Sequence, residues 1–294
     1  MAAAGPAADD PFAHTRMTLG EHLDELRRRL FRGVLAVAVA FVVSLAYRHE
    51  VTALILRPHR QCVQWLNEHY LGLAEERMAA DPARRADYFE PDGAFKLAID
   101  PRLVALSPTE PMWFVLKLAG YAALFAGSPY LLWQMWGFVA AGLYPRERRW
   151  VRWFFPPALL LFVAGVVFSY VVLVPYGMFY ALKDSDPELV KVTLGLGFFF
   201  SFLATLCLGM GAVFQLPILM TFLGLVGLVP AATFARLRGY FVVVAFVIAA
   251  LLTPGPDIFS QVAMAAPLIL LYEVGILGAR FVRRGEGTTS LGRS

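Results

Sequence analysis

Between Met112 and Phe138 the chain is almost wholly apolar, with Lys117 near the start of the run and Tyr130 and Trp133 inside it. A run of that length fits a bilayer better than the interior of a soluble domain. In lipid a backbone N–H or C=O without a partner costs several kcal/mol, so the run must be a helix. Comparable runs recur at Phe31 to Tyr47, about Val151 to Val174, and about Leu196 to Leu223 with Gln215-Leu-Pro217 inside. Two more follow, Tyr240 to Leu252 and Val262 to Leu277, the latter interrupted by Pro267. The predicted fold class is all-α: a polytopic membrane protein of six transmembrane helices. Its 59% hydrophobic and 16% charged residues agree, since a soluble domain carries about 25% charged residues. The fifth run has 13 residues, about 20 Å of helix against a hydrocarbon core of about 30 Å. The sixth is short as well. Neither has a spare hydrophobic turn with which to tilt, so the expectation is a bilayer thinned beside them.

Orientation follows from the basic residues. Fifteen of the 26 Lys and Arg side chains fall in the N-terminal segment, the two loops on its side and the C-terminal tail. The short loops on the other side carry only Lys183 and Lys191. That asymmetry predicts both termini in the cytoplasm. Residues 1–17 read as a disordered leader. From there to Leu30, Leu19, Leu23, Leu26 and Leu30 recur at three- and four-residue spacing, which predicts an amphipathic N-terminal helix lying along the membrane surface and leading into the first span. The polar, acid-containing leader points to a span that stays in place rather than a cleaved signal. Cys62 and Cys207 lie in unlike contexts and are not expected to pair.

The most informative polar segment joins the second and third spans, around Tyr144-Pro-Arg-Glu147-Arg-Arg-Trp-Val-Arg152. Glu147 is its only acid, among Arg146, Arg148, Arg149 and Arg152. Two readings fit: an internal ion pair that stiffens the turn, or a docking carboxylate for a cationic ligand. Glu273, an ionisable group inside the sixth run, is equally a functional candidate or a helix-packing hydrogen bond. Asp257, after Pro254-Gly-Pro256, has the makings of a helix cap. His22 reads as part of the amphipathic helix. No Gly-rich phosphate loop, metal-ligand cluster or nucleophile–base pair occurs, so neither an enzyme nor a cofactor is expected. The rival class is a small-solute secondary transporter, which would gather charge at mid-membrane. Here only Gln215, Lys117 and Glu273 lie at any depth.

Five motifs, in order, resemble the TatC family of twin-arginine protein translocases. They are His22-Leu-Asp-Glu25-Leu-Arg27-Arg-Arg-Leu30; Ser107-Pro-Thr-Glu-Pro111; Gln134-Met-Trp-Gly-Phe138 through Tyr144-Pro-Arg-Glu147-Arg-Arg149; Leu252-Thr-Pro-Gly-Pro-Asp257-Ile-Phe-Ser-Gln261; and Pro267 with Leu271-Tyr-Glu273. The resemblance implies a concave bundle with short fifth and sixth helices. It implies a protein-transport subunit of the bacterial cytoplasmic (inner) membrane. In that family twin-arginine signal peptides of folded cargo are recognised at the cytoplasmic face. The implied partners are TatA- and TatB-type single-span proteins in an oligomeric complex, driven by the protonmotive force, with no nucleic acid. Carried over by motif, Glu25, Glu147, Arg27 and Phe138 are the signal-peptide residues, and Gln215, Asp257, Pro58 and Glu273 serve partners and transport. Relatives often carry Glu where this chain has Gln215. The expected organisation is a 18–284 membrane domain with an extended outer loop at 57–106, followed by a cytoplasmic tail at 285–294.

Overall fold

Each apolar run becomes a helix because only a helix satisfies its own backbone in lipid. The structure is a computed structural model that describes residues 19–143, 145–189, 192–252 and 258–289. The side chains of 19, 145–147, 149, 259–260 and 282–289 are excepted. The leader and the last residues of the tail therefore lie outside the described residues, as does Asp257. The helices are α1 (Leu19–Ala46), α2 (Arg48–Ile55), α3 (Arg57–Ala80), α4 (Arg85–Tyr88), α5 (Glu110–Ala141), α6 (Pro145–Phe168), α7 (Val174–Leu182), α8 (Leu196–Val213), α9 (Leu216–Leu225), α10 (Ala231–Arg236), α11 (Arg238–Leu252) and α12 (Ile258–Thr289). A π-helical stretch, Ser169–Leu173, joins α6 to α7, so the third span is continuous.

Among the described residues, five segments are long and apolar enough to cross a membrane: Gly20–Ala46, Glu110–Ala141, Trp150–Leu182, Leu196–Leu225 and Gln261–Phe281. The helix of the fifth run, α11, has 15 residues, about 22 Å at 1.5 Å per residue. One expectation changes. The amphipathic turns and the first span form a single α1 with no break between them, so they share an axis rather than forming a separate surface helix. The polar stretch 57–106 is also less of a loop than the sequence implied, because α3 alone takes 24 of its residues.

Contacts fix how the helices run. Gly33 meets Leu131 while Gly127 meets Val37, so α1 and α5 are antiparallel. Gly165 lies against Met210 and Gly211 against Phe162, which makes α6 and α8 antiparallel too. α9 and α12 run parallel, with Pro217 beside Gly275 and Gly224 beside Ala279. α8 is the central element: half of the fourth span's apolar window is buried, against 11% of the first's. Phe199, Phe200, Leu203, Leu206 and Met210 pack with Leu118, Met178, Met264 and Leu268. Proline is handled locally. Pro129 cannot donate to the Phe125 carbonyl, and the hydroxyl of Ser128 donates there instead at 2.7 Å.

At the end of the bundle remote from α1's first turn, α3 folds back on α7. Trp65 packs on Tyr176 with ring centroids 4.8 Å apart, and Tyr70 donates to the Leu182 carbonyl at 3.1 Å. Glu188 anchors this cap: it pairs with Arg77 at 2.5 Å and Arg84 at 3.0 Å, and Tyr88 donates to it. Those bonds, Tyr88's first and Arg77's next, hold its carboxyl below the usual glutamate range. His59 is buried edge-on to Phe199 at 5.3 Å. Burial first, and Arg60 next, push its pKa down to about 4.

Both groups have depressed pKa values, so both lend stability that is present at high pH and lost on acidification. The cap should hold full stability above the ordinary histidine pKa of 6.5 and weaken between there and about 4 as His59 resists protonation. It should weaken further in more acidic solution as Glu188 is neutralised. Amide exchange of α3 at a series of pH values tests this. His59→Phe should remove the first step and Glu188→Gln the second. A native profile flat from pH 7 to 4 would contradict the assignment.

Candidate functional site

The charged residues of α1 and of the α5–α6 connection meet at the other end, the basic rim. Glu25 and Arg29 are four residues apart and share a helix face. Arg29 Nε donates to Glu25 Oε1 at 2.6 Å, with Nη2 at 2.5 Å from the same oxygen. The guanidinium sits against the backbone of α5 at Gly137, in space that a Cβ there would occupy, with Nη1 nearest and Cζ 2.8 Å from that point. One residue on, Phe138 stacks on the His22 ring with centroids 4.3 Å apart. Arg148, in the first turns of α6, donates to the terminal carbonyl of Ala140 at 3.0 Å. It thus caps α5, where the helix dipole favours a cation.

These elements enclose a cleft of about 620 Å³ lined by Glu25, Arg29, Trp133, Trp136, Arg152 and Phe155, among others. Trp133 meets Phe155 edge-on at 4.9 Å. The cleft is an aromatic trough with a carboxylate at its lip. On the other flank of the α1–α5 seam, Leu26, Leu30, Val34, Leu131 and Phe138 line an apolar groove. Among the described residues, three buried polar atoms near the seam have no partner: His22 Nδ1, Gln134 Oε1 and Trp136 Nε1.

The remaining sequence-derived residues are placed as follows. Glu147 begins α6 beside Arg148, but its side chain lies outside the described residues. Arg27 is exposed and sits about 200° around α1 from Glu25, so it does not line the cleft. Pro58 lies in the first turn of α3, at the cap end, where its missing N–H costs nothing. Glu273, within the candidate span Gln261–Phe281, pairs with Arg238, at the start of α11, at 2.7 Å, with both side chains nearly half exposed. Gln215 sits at the break between α8 and α9 and donates through Nε2 to the Ala158 carbonyl of α6 at 2.9 Å. Its Oε1 is buried without a donor among the described residues. Asp257 is outside the described residues. Sequence reasoning missed Arg29, Gly137, Trp133 and Trp136, although the Glu25–Arg29 spacing and the Gln134-to-Phe138 motif were in view.

Fold and rim define the class: a multi-span, all-helical membrane protein whose charged side chains are gathered at its two ends. The profile of the Sec-independent protein translocase protein (TatC) family matches residues 21–267, and the chain belongs to that family. It is a protein-translocase subunit of the Tat pathway, in a family that is not one of enzymes. A TatC of Koribacter versatilis is 36% identical over 260 residues, 88% of this chain and 84% of that protein. A TatC of Halothiobacillus neapolitanus is 35% identical over 90% of this chain and 63% of its own length. A TatC of Carboxydothermus hydrogenoformans is 30% identical over 92% of this chain and 96% of its own. A crystal structure described as the twin arginine translocase receptor TatC superposes with a TM-score of 0.66 at 28% identity, covering 90% of this chain and all of that one.

The Gln215 bond carries a measurable stability. Interhelical hydrogen bonds within membranes average about 0.6 kcal/mol. Gln215→Leu removes one of these and also removes a buried acceptor that has no donor. The expected net loss in detergent unfolding is therefore about 0.6 kcal/mol or less, and a loss above about 2 kcal/mol would show that Oε1 has a partner in the membrane.

Proposed function

We propose that the basic rim is the cytoplasmic face and binds the paired arginines of twin-arginine signal peptides on folded cargo. The observation that carries this is Glu25, held over an aromatic cleft and contacted, among the described residues, by Arg29 at Oε1. A guanidinium is read best by a carboxylate that accepts two hydrogen bonds, and its flat face stacks on aromatic rings. Two arginines call for a second acid. Glu147 is the candidate, since its neighbour Arg148 lines the same cleft. Phe138 closes the seam beside it, and Arg27, on the far face of α1, would act through an extended peptide or a partner. Arg148 competes little for either acid because it is committed to the end of α5.

In this reading the chain works in the bacterial inner membrane with both termini cytoplasmic, in an oligomeric complex with TatA- and TatB-type partners, and draws on the protonmotive force. Residues 18–284 are the working domain. Gln215 serves a single-span partner, whose donor reaches its buried oxygen only when α6 and the α8–α9 break part. It has no proton to titrate near neutral pH, so proton coupling does not run through it. Pro58, Asp257 and Glu273 support transport from the cap, the last outer turn and the α11–α12 rim. A small-solute transporter, the alternative read from the sequence, is not favoured by the family.

Binding of a synthetic Arg-Arg signal peptide and its Lys-Lys counterpart to the detergent-solubilised chain tests the reading. Glu25→Gln and Glu147→Gln should each weaken the Arg-Arg peptide by about 1.5–3 kcal/mol, the worth of a hydrogen bond to a charged group. The double variant should lose less than the sum if both acids grip one arginine pair. Unchanged affinity in the double variant would return Glu147 to a stiffened turn and overturn the docking role.

The short α11 adds a second test. Four leucines inserted after Val244 would lengthen it to about 28 Å. If thinning of the bilayer beside α11 matters, transport in inverted vesicles should fall while peptide binding stays intact. Undiminished transport would remove thinning from the mechanism.

A further inference from the structure

We infer that Arg29 is a resident competitor: it holds Glu25 Oε1, and a guanidinium gripped by both carboxylate oxygens must displace it from there. The inference rests on the proposed docking role of Glu25. Three observations lead to it. Arg29 delivers to Glu25 the contact that a ligand arginine would make, Nε at 2.6 Å and Nη2 at 2.5 Å. It is held there by a seat, not by its partner alone, since the guanidinium occupies space over Gly137 that no other residue type would leave open. It also lines both the aromatic cleft and the apolar groove, so on leaving Glu25 it has a second wall to lie against.

The consequence is a threshold. Only the fraction of molecules with Glu25 released can accept ligand, and the apparent dissociation constant rises by the reciprocal of that fraction. Every ligand meets the same factor, so competition weakens Arg-Arg and Lys-Lys peptides alike. The preference between them stays with Glu25 and its geometry. Competition lifts the weaker class out of the useful range, and the return of Arg29 to Glu25 favours release of the stronger. A carrier needs both properties.

Two variants separate competition from charge. Arg29→Gln removes the competitor and a nearby positive charge. Gly137→Ala keeps the charge but fills the seat, and what must move is the far end of a flexible side chain. Arg28→Gln, exposed and not lining the cleft, removes the same charge without touching the pair. With the solubilised full-length chain and the same two peptides, Gly137→Ala should tighten Arg-Arg binding by about two- to five-fold, the range spanned by solvent-accessible ion pairs. Arg29→Gln should tighten it more, Arg28→Gln less than either, and the Arg-Arg to Lys-Lys ratio should stay constant throughout. Melting temperatures within a degree of the native chain certify the fold. Weaker binding in Arg29→Gln or Gly137→Ala would make Arg29 a positioning residue and overturn the inference while leaving Glu25 as the dock. A gain in Arg29→Gln no larger than in Arg28→Gln would reduce the effect to charge and overturn it as well. If Glu25→Gln leaves binding unchanged, the docking reading itself fails, and the competitor with it.

Discussion

In an apolar medium every backbone donor and acceptor must be used, and the rest of this structure depends on that constraint. It forces each apolar run into a helix and decides what happens where a helix cannot be regular. Pro129 would strand the Phe125 carbonyl, and Ser128 takes it. The prolines after Phe155 and at position 217 loosen α6 and the α8–α9 junction, and there Gln215 reaches across to Ala158. The polar residues that remain at depth are thus mostly repairs to the backbone. That is why so few side chains are available for chemistry inside the bundle and why recognition belongs at its ends.

The two ends solve different electrostatic problems. At the cap, Glu188 gathers Arg77, Arg84 and Tyr88 into one cluster that ties the α3–α4 segment to the connection after α7. Its charges are mutually satisfied, and its role is structural. At the rim, cations outnumber acids. Arg148 is absorbed by the end of α5, Arg238 by Glu273, and Arg29 by Glu25. Arg152 stays in the cleft wall. A surface of that kind holds an anionic membrane face easily. It holds a cationic ligand only where a carboxylate is placed with care, which makes the surroundings of Glu25 the decisive part of the rim.

Much of this was legible from residue order. The spans, the short α11 and the acidic candidates followed from apolar runs and from charges left between them, because a bilayer imposes length and polarity limits that any sequence must show. Glu25 and Gly137 are a different case. Spacing alone shows that Glu25 and Arg29 share a face of α1, but nothing in the order of residues says that α5 passes close enough for Gly137 to cradle the guanidinium. Glu273 is a case of the same kind: its place in an apolar run was visible, but not that α11 begins beside it and brings Arg238 within reach. The amphipathic turns before Phe31 carried every sign of a surface helix, yet continuous helix-forming residues through Leu30 and Phe31 give no cause for a bend.

The glycine crossings have a consequence for how the chain can vary. A Cβ at Gly165 would come within 2.7 Å of the Met210 carbonyl, and one at Gly275 within 2.6 Å of Met220 Sδ. Crowding of that order costs about 1–3 kcal/mol, whereas an exposed valine on α1 can change to leucine at almost no cost. Tolerance to substitution therefore runs opposite to side-chain size here: the large lipid-facing residues are interchangeable, and the positions with no side chain at all are the ones that drift would punish first.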